Sequence, residues 1–183
     1  MKKPLLLIVF QFLFLTGCAT NYYVNEDYYT QPKNYEKISV YVTNPDHEAY
    51  EVLKKSEIYD LTEDSACPNK LEIQTLGPAY HRCGLYALGV LAQAFTLGTL
   101  PLSDTEEEII AYSISNNGKT VSYKHDLKYK SRSSIWEIPL LPLTYTQNGA
   151  RTKTLSLSQR EICENPSCTG EIWDLDLEGP EQP

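Results

Sequence analysis

EIIAYSIS-NNGK-TVSYKHDLKY, residues 108–129, is the stretch on which the fold turns. On an extended chain Ile110, Tyr112 and Ile114 fall on one face, and across the polar break Val121, Tyr123, His125, Leu127 and Tyr129 do the same. Ser122, Lys124, Asp126 and Lys128 alternate with them and face water. Asn117-Gly118 suits the positive φ values of a tight hairpin turn. The pattern is that of an antiparallel pair with one buried and one wet face.

Working outward, Ile135 to Leu140 extends the alternation through Trp136, Ile138 and Leu140, with Pro139 placing it at a sheet edge. Leu143 to Thr146 and Lys153 to Leu157 read as a second hairpin around Asn148-Gly149, and Ile172 to Leu177 as a closing strand. On the N-terminal side, Ile38 to Val42 and Lys70 to Thr75 are strand-like, the latter stopped by Gly77-Pro78. Between them Asp46 can cap a short amphipathic helix carrying Ala49, Val52, Leu53 and Ile58. Gly84 to Ser103 has no charged residue, and two readings compete for it. One is a buried helix from about Tyr80 to Leu97, ended by Gly98 and Pro101; the other is a bilayer-inserted span or hairpin over Leu85–Leu102. Gln93, the glycines and the threonines favour burial. The expected fold is α+β: an antiparallel-rich β-sheet packed against one long apolar helix and a shorter amphipathic helix.

The N-terminus carries a different signal. Met1, Lys2 and Lys3 are a positive start, Leu5 to Leu15 is apolar apart from Gln11, and Leu15-Thr16-Gly17-Cys18 follows. This run resembles the lipobox of bacterial lipoproteins. The resemblance implies cleavage before Cys18, a diacylglyceryl group on its sulfur and, with Ala19 next, an outer-membrane destination facing the periplasm. It divides the chain into a signal peptide (1–17), a lipidated Tyr-rich tether (18–36), one globular domain (37–179) and a disordered tail (180–183). A tether of this composition would let the body stand off the membrane.

Removing Lys2 and Lys3 from the 16 basic residues leaves 14 against 24 acidic ones, a net charge of −10 that argues against a nucleic-acid partner. Four cysteines remain after Cys18, an even number that in an exported chain suggests disulfides. Spacing favours Cys67 with Cys83 and Cys163 with Cys168, the second pair bracketing the turn-forming Glu164-Asn165-Pro166-Ser167. A zinc site competes poorly, because these are not ribbon spacings and no histidine lies near Cys163.

Cys83 at a helix start and His125 on a following strand could form a cysteine-dependent hydrolase. The plainer reading makes Cys83 a disulfide half and His125 a core imidazole bonded to backbone or tyrosine. Asp174, Asp176 and Glu178 could gather carboxylates for Ca²⁺, but no glycine-bearing EF-hand loop accompanies them, and Glu106-Glu107-Glu108 reads as a solvated run. No phosphate loop or nucleophile elbow is present. The expectation is a lipid-anchored, non-enzymatic envelope protein, needing no metal or cofactor, that binds another envelope protein. The alternatives are the Cys83/His125 hydrolase and a membrane-inserting protein using Leu85–Leu102.

Overall fold

The computed structural model describes residues 19–30, 36–78, 85–96 and 98–163. Its spine is the hairpin of β5 (Leu102–Asn116) and β6 (Lys119–Ser134), antiparallel in continuous register from Leu102↔Ser133 to Asn116↔Lys119. Asn117 (φ 49) and Gly118 (φ 79) both take the left-handed region at the turn, which is why this dipeptide stands there. Four further strands are β1 (Ala19–Val24), β2 (Ser39–Val42), β3 (Asp60–Thr62) and β4 (Asn69–Pro78), and the sheet runs β1-β6-β5-β4-β2-β3. A two-residue β7 (Glu161–Ile162) pairs with β6 at Tyr123 and Lys124. β2 runs parallel to both β3 and β4, whereas the other pairings are antiparallel, so the sheet is mixed.

Two short helices cover the apolar face. Helix α2 (Tyr50–Ser56) buries Val52 and Leu53, and helix α4 (Gln147–Leu157) buries Ala150, Thr154 and Leu155. The two pack against each other over Val40, Leu71, Ile73, Ile110, Tyr112, Ile114 and Leu127, which makes one core. Each fully buried Leu or Ile there contributes roughly 1.5–3 kcal/mol.

Among the described residues there is no long apolar helix of the kind expected at the centre of the domain. Helix α3 spans only Leu85–Phe95, eleven residues, and its last turn leaves Leu91 54% and Phe95 87% exposed. Gly98 (φ 76) donates its N–H to Gln93 O at 2.8 Å and ends the helix, and the chain enters β5 at Leu102. The apolar composition of this stretch pointed to burial, but the sheet is already covered by α2 and α4. The fold is therefore a curled mixed sheet with five short helices among the described residues. No helix there is long and apolar enough to cross a membrane.

Two other elements depart from expectation. Ile135–Leu143 is a 3-10 helix rather than a strand, since Pro139 and Pro142 cannot donate to a ladder. The expected second hairpin is α4, whose N-cap Thr146 accepts Gly149 N–H at 3.2 Å; Ala150, Thr154 and Leu155 then recur at helical spacing. Asp46 does not cap α2 through its side chain: the N-cap is Ala49, whose N–H instead donates to His47 Nδ1 at 3.1 Å.

Candidate functional site

The polar residues inside the core form one ordered hydrogen-bond chain. Arg160 Nη1 donates to Tyr59 Oη at 2.8 Å, Tyr59 Oη lies 3.0 Å from Tyr112 Oη, and Tyr112 Oη lies 2.9 Å from His125 Nε2. His125 Nδ1 is 2.8 Å from Ser158 Oγ, which donates to Leu155 O at 3.1 Å. Arg160 donates at one end and Leu155 O accepts at the other; with Tyr59 donating to Tyr112 and Tyr112 to Nε2, Nδ1–H faces Ser158.

The consequence for chemistry is direct. A serine beside a histidine could suggest a nucleophile and its base; here both are buried, and the Ser158 hydroxyl also donates to Leu155 O. His125 is fully buried, and burial first, with the Arg160 charge second, pushes its pKa down to about 3. The imidazole is neutral and holds Tyr112, from β5, to Ser158, just past α4. This is the core imidazole bonded to tyrosine anticipated from its place on the apolar strand face. Its supposed partner Cys83 lies outside the described residues.

A second cluster fastens the N-terminal segment. The Glu137 side chain, 2% exposed, accepts Tyr23 Oη at 2.6 Å and Asn21 Nδ2 at 2.8 Å on Oε2, with Arg132 Nε 3.4 Å from Oε1. Asn21 Nδ2 also donates to Glu137 O at 2.8 Å. Burial works to raise the Glu137 pKa, but the Tyr23 and Asn21 hydrogen bonds and the Arg132 charge outweigh it and hold the carboxyl below its ordinary range. Glu108, expected to be solvated, is also buried: Arg151 of α4 grips it through Nε at 2.7 Å and Nη2 at 2.5 Å.

Residues 19–30, read from composition as part of a tether, are thus built into the sheet. Ala19 to Val24 pair with Ser134 to Tyr129, and after helix α1 (Asp27–Thr30) begins, Tyr28 turns inward. Its hydroxyl donates to Asp126 O at 2.9 Å and accepts Lys128 N–H at 3.0 Å. It thereby satisfies the edge of β6 between the stretches that β1 and β7 cover. Asn44 does the same past the end of β2, donating to Ile73 O at 2.7 Å and accepting Ile73 N–H at 2.9 Å.

The remaining unusual feature is an exposed apolar end. Leu91, Phe95, Leu100, Trp136, Leu141 and Leu143 are each at least half exposed, and all lie on two adjoining segments. Ile135 N–H donates to Gly98 O at 3.0 Å and Trp136 Nε1 to Thr99 O at 3.1 Å, joining the 3-10 helix to the loop after α3. Residues 85–103 carry no charge, and residues 135–146 carry only Glu137, which points inward. Sequence reading favoured burial for Leu85–Leu102 over its membrane-inserted alternative and read Ile135 to Leu140 as a strand; the signal available in the second segment was Trp136 and two prolines interrupting an apolar pattern.

Of the cysteines, Cys18, Cys83 and Cys168 lie outside the described residues. Cys67 Sγ sits 3.6 Å from Ser39 O, and Cys163 N–H donates to Ser122 O at 2.9 Å beside β7. Among the described residues no three His, Cys, Asp or Glu side chains gather as metal ligands. Compared with known proteins, the chain matches no protein-family model and no curated protein.

Proposed function

We propose that this protein is a lipid-anchored component of a bacterial envelope, acylated at Cys18 and held on the outer membrane facing the periplasm. Its domain works by binding an envelope partner rather than by catalysis. The anchor rests on Leu15-Thr16-Gly17-Cys18 behind a basic start and an apolar run. What supports a binding domain is the burial of the most enzyme-like group: His125 and Ser158 lie inside the core, linked to Tyr112 and to Leu155 O. The other buried carboxylates, Glu108 and Glu137, are fully occupied by Arg151, Tyr23 and Asn21.

The net charge of −10 after signal removal disfavours nucleic acid as the partner. Tyr28 and Asn44 close unpaired stretches of β6 and β4, which leaves β1 and β3 as the edge strands of the sheet. The two disulfides, Cys67 with Cys83 and Cys163 with Cys168, belong to the same reading of an exported chain.

Metabolic labelling with an alkynyl fatty acid tests the anchor: the native chain takes up label and Cys18→Ser does not. Equal labelling of both would refute it. A fluorophosphonate probe and an epoxide peptide probe test the rest. Neither is expected to label the protein, and modification of Ser158 by the first or Cys83 by the second would restore the hydrolase reading.

A further inference from the structure

Resting on acylation at Cys18, we propose that the charge-free end of the domain, made by the last turn of α3, the loop to β5 and the 3-10 helix, lies in the interface of the bilayer that the acyl chains enter. The first ground is distance. Ala19 is not the start of a spacer; it is hydrogen-bonded into β1 opposite Ser134, the residue before the 3-10 helix. Cys18 is the next residue along the chain, and consecutive Cα atoms are about 3.8 Å apart. Its acyl chains therefore enter the membrane beside Ile135 and Trp136, and the surface around that point has no room to stand off.

The second ground is the chemistry of the surface that position brings down. In a chain of net charge −8, the neighbouring segments 85–103 and 135–146 expose no formal charge. They present Phe95 (87% exposed), Leu143 (80%) and Trp136 (66%) instead. An indole whose N–H is already satisfied by Thr99 O and whose ring faces outward suits the headgroup level, where tryptophan concentrates. Further along β6 lie Lys124, Asp126, Lys128 and Lys130, so the middle of this strand is charged where the 3-10 helix and the loop after α3 are not. Acyl chains and apolar face then act as two linked attachments. The second orients the domain, with the β5–β6 turn pointing away from the membrane.

The test uses the acylated mature protein carrying Trp173→Phe, which leaves Trp136 as its single tryptophan. It is reconstituted in phosphatidylethanolamine–phosphatidylglycerol vesicles whose acyl chains are brominated near the headgroup. Trp136 emission is expected to be roughly halved relative to unbrominated vesicles, as for an interfacial ring. Phe95→Asp with Leu143→Asp changes only exposed side chains; it should keep the melting curve and remain vesicle-bound while losing most of the quenching. Acylated, vesicle-bound protein whose Trp136 is quenched by acrylamide but not by brominated lipid overturns the inference and leaves the anchor standing. Shielding from both quenchers also overturns it, in favour of residues 164–183 or a second copy covering the face. A chain that carries no acyl mass overturns the anchor and the inference together.

Discussion

Replacing His125 with Gln should flatten the dependence of stability on pH between about pH 7.5 and pH 5. In the unfolded chain a histidine titrates near pH 6.5; in the folded protein burial and Arg160 push His125 down to about 3. Above both values the imidazole is neutral in either state, and its bonds to Tyr112 and Ser158 contribute in full. As pH falls below about 6.5 the unfolded chain gains a proton that the folded one refuses, so stability drops until pH approaches 3. At about pH 5 the loss amounts to about 2 kcal/mol. Glu137, whose folded pKa is depressed, loses its contribution only as pH falls through the carboxylate range, below this window. Urea unfolding of both proteins across the interval is the assay. The variant is less stable throughout because the hydrogen-bond chain is cut, so the slope rather than the intercept carries the answer. Parallel slopes would refute the buried neutral imidazole. Long-range ¹H–¹⁵N correlation gives an independent check: Nδ1 should show the protonated-nitrogen shift and Nε2 the unprotonated one.

Tyr28→Phe should cost about 1–2 kcal/mol, because Asp126 O and Lys128 N–H lose their shared partner, and amide exchange at Lys128 should accelerate. If exchange there is unchanged, the hydroxyl is not closing the β6 edge. Arg151→Ala leaves the Glu108 carboxylate buried without its cation and should cost about 2–4 kcal/mol by thermal or urea unfolding, with Glu108→Gln in the same chain recovering part of it. Equal stability of the single and double variants would show that no charge is stranded.

The hairpin was legible because two independent signals agree on it: alternation with period two and a dipeptide that tolerates positive φ. The short helix carrying Val52 and Leu53 was legible for the same kind of reason, through helical spacing of its apolar residues. α4 was not, because Asn148-Gly149 is a strong hairpin signal when read alone. Only the pairing of Thr146 with Gly149 N–H, and a threonine at a core position, make it the first turn of a helix. Composition also failed where tertiary context reverses it. Tyr22, Tyr23 and Tyr28 looked like residues of a polar spacer, yet Tyr23 binds Glu137, Tyr28 plugs the sheet, and the Tyr22 ring packs edge-on against Tyr129 at 5.9 Å. Glu108 looked solvated because its cation, Arg151, is far away in sequence. Of the core chain, Tyr112 and His125 could be placed from the sequence, on the hairpin, whereas Tyr59 and the Ser158–Arg160 pair come from two separate loops.

These corrections share a direction. His125, Ser158, Glu108 and Glu137 are occupied in holding segments distant in sequence together. Leu91, Phe95, Leu100, Trp136, Leu141 and Leu143, from apolar runs, are exposed. Buried polar groups seek partners, and these four polar side chains find theirs on other elements of the fold. An exposed apolar surface carries the opposite obligation, since several large side chains gathered beside one another mark a surface that meets something other than water. Ala19 pairs with Ser134 beside that surface, so under the acylation proposed for Cys18 the strand that Glu137 clamps in place decides which face of the domain turns to the lipid.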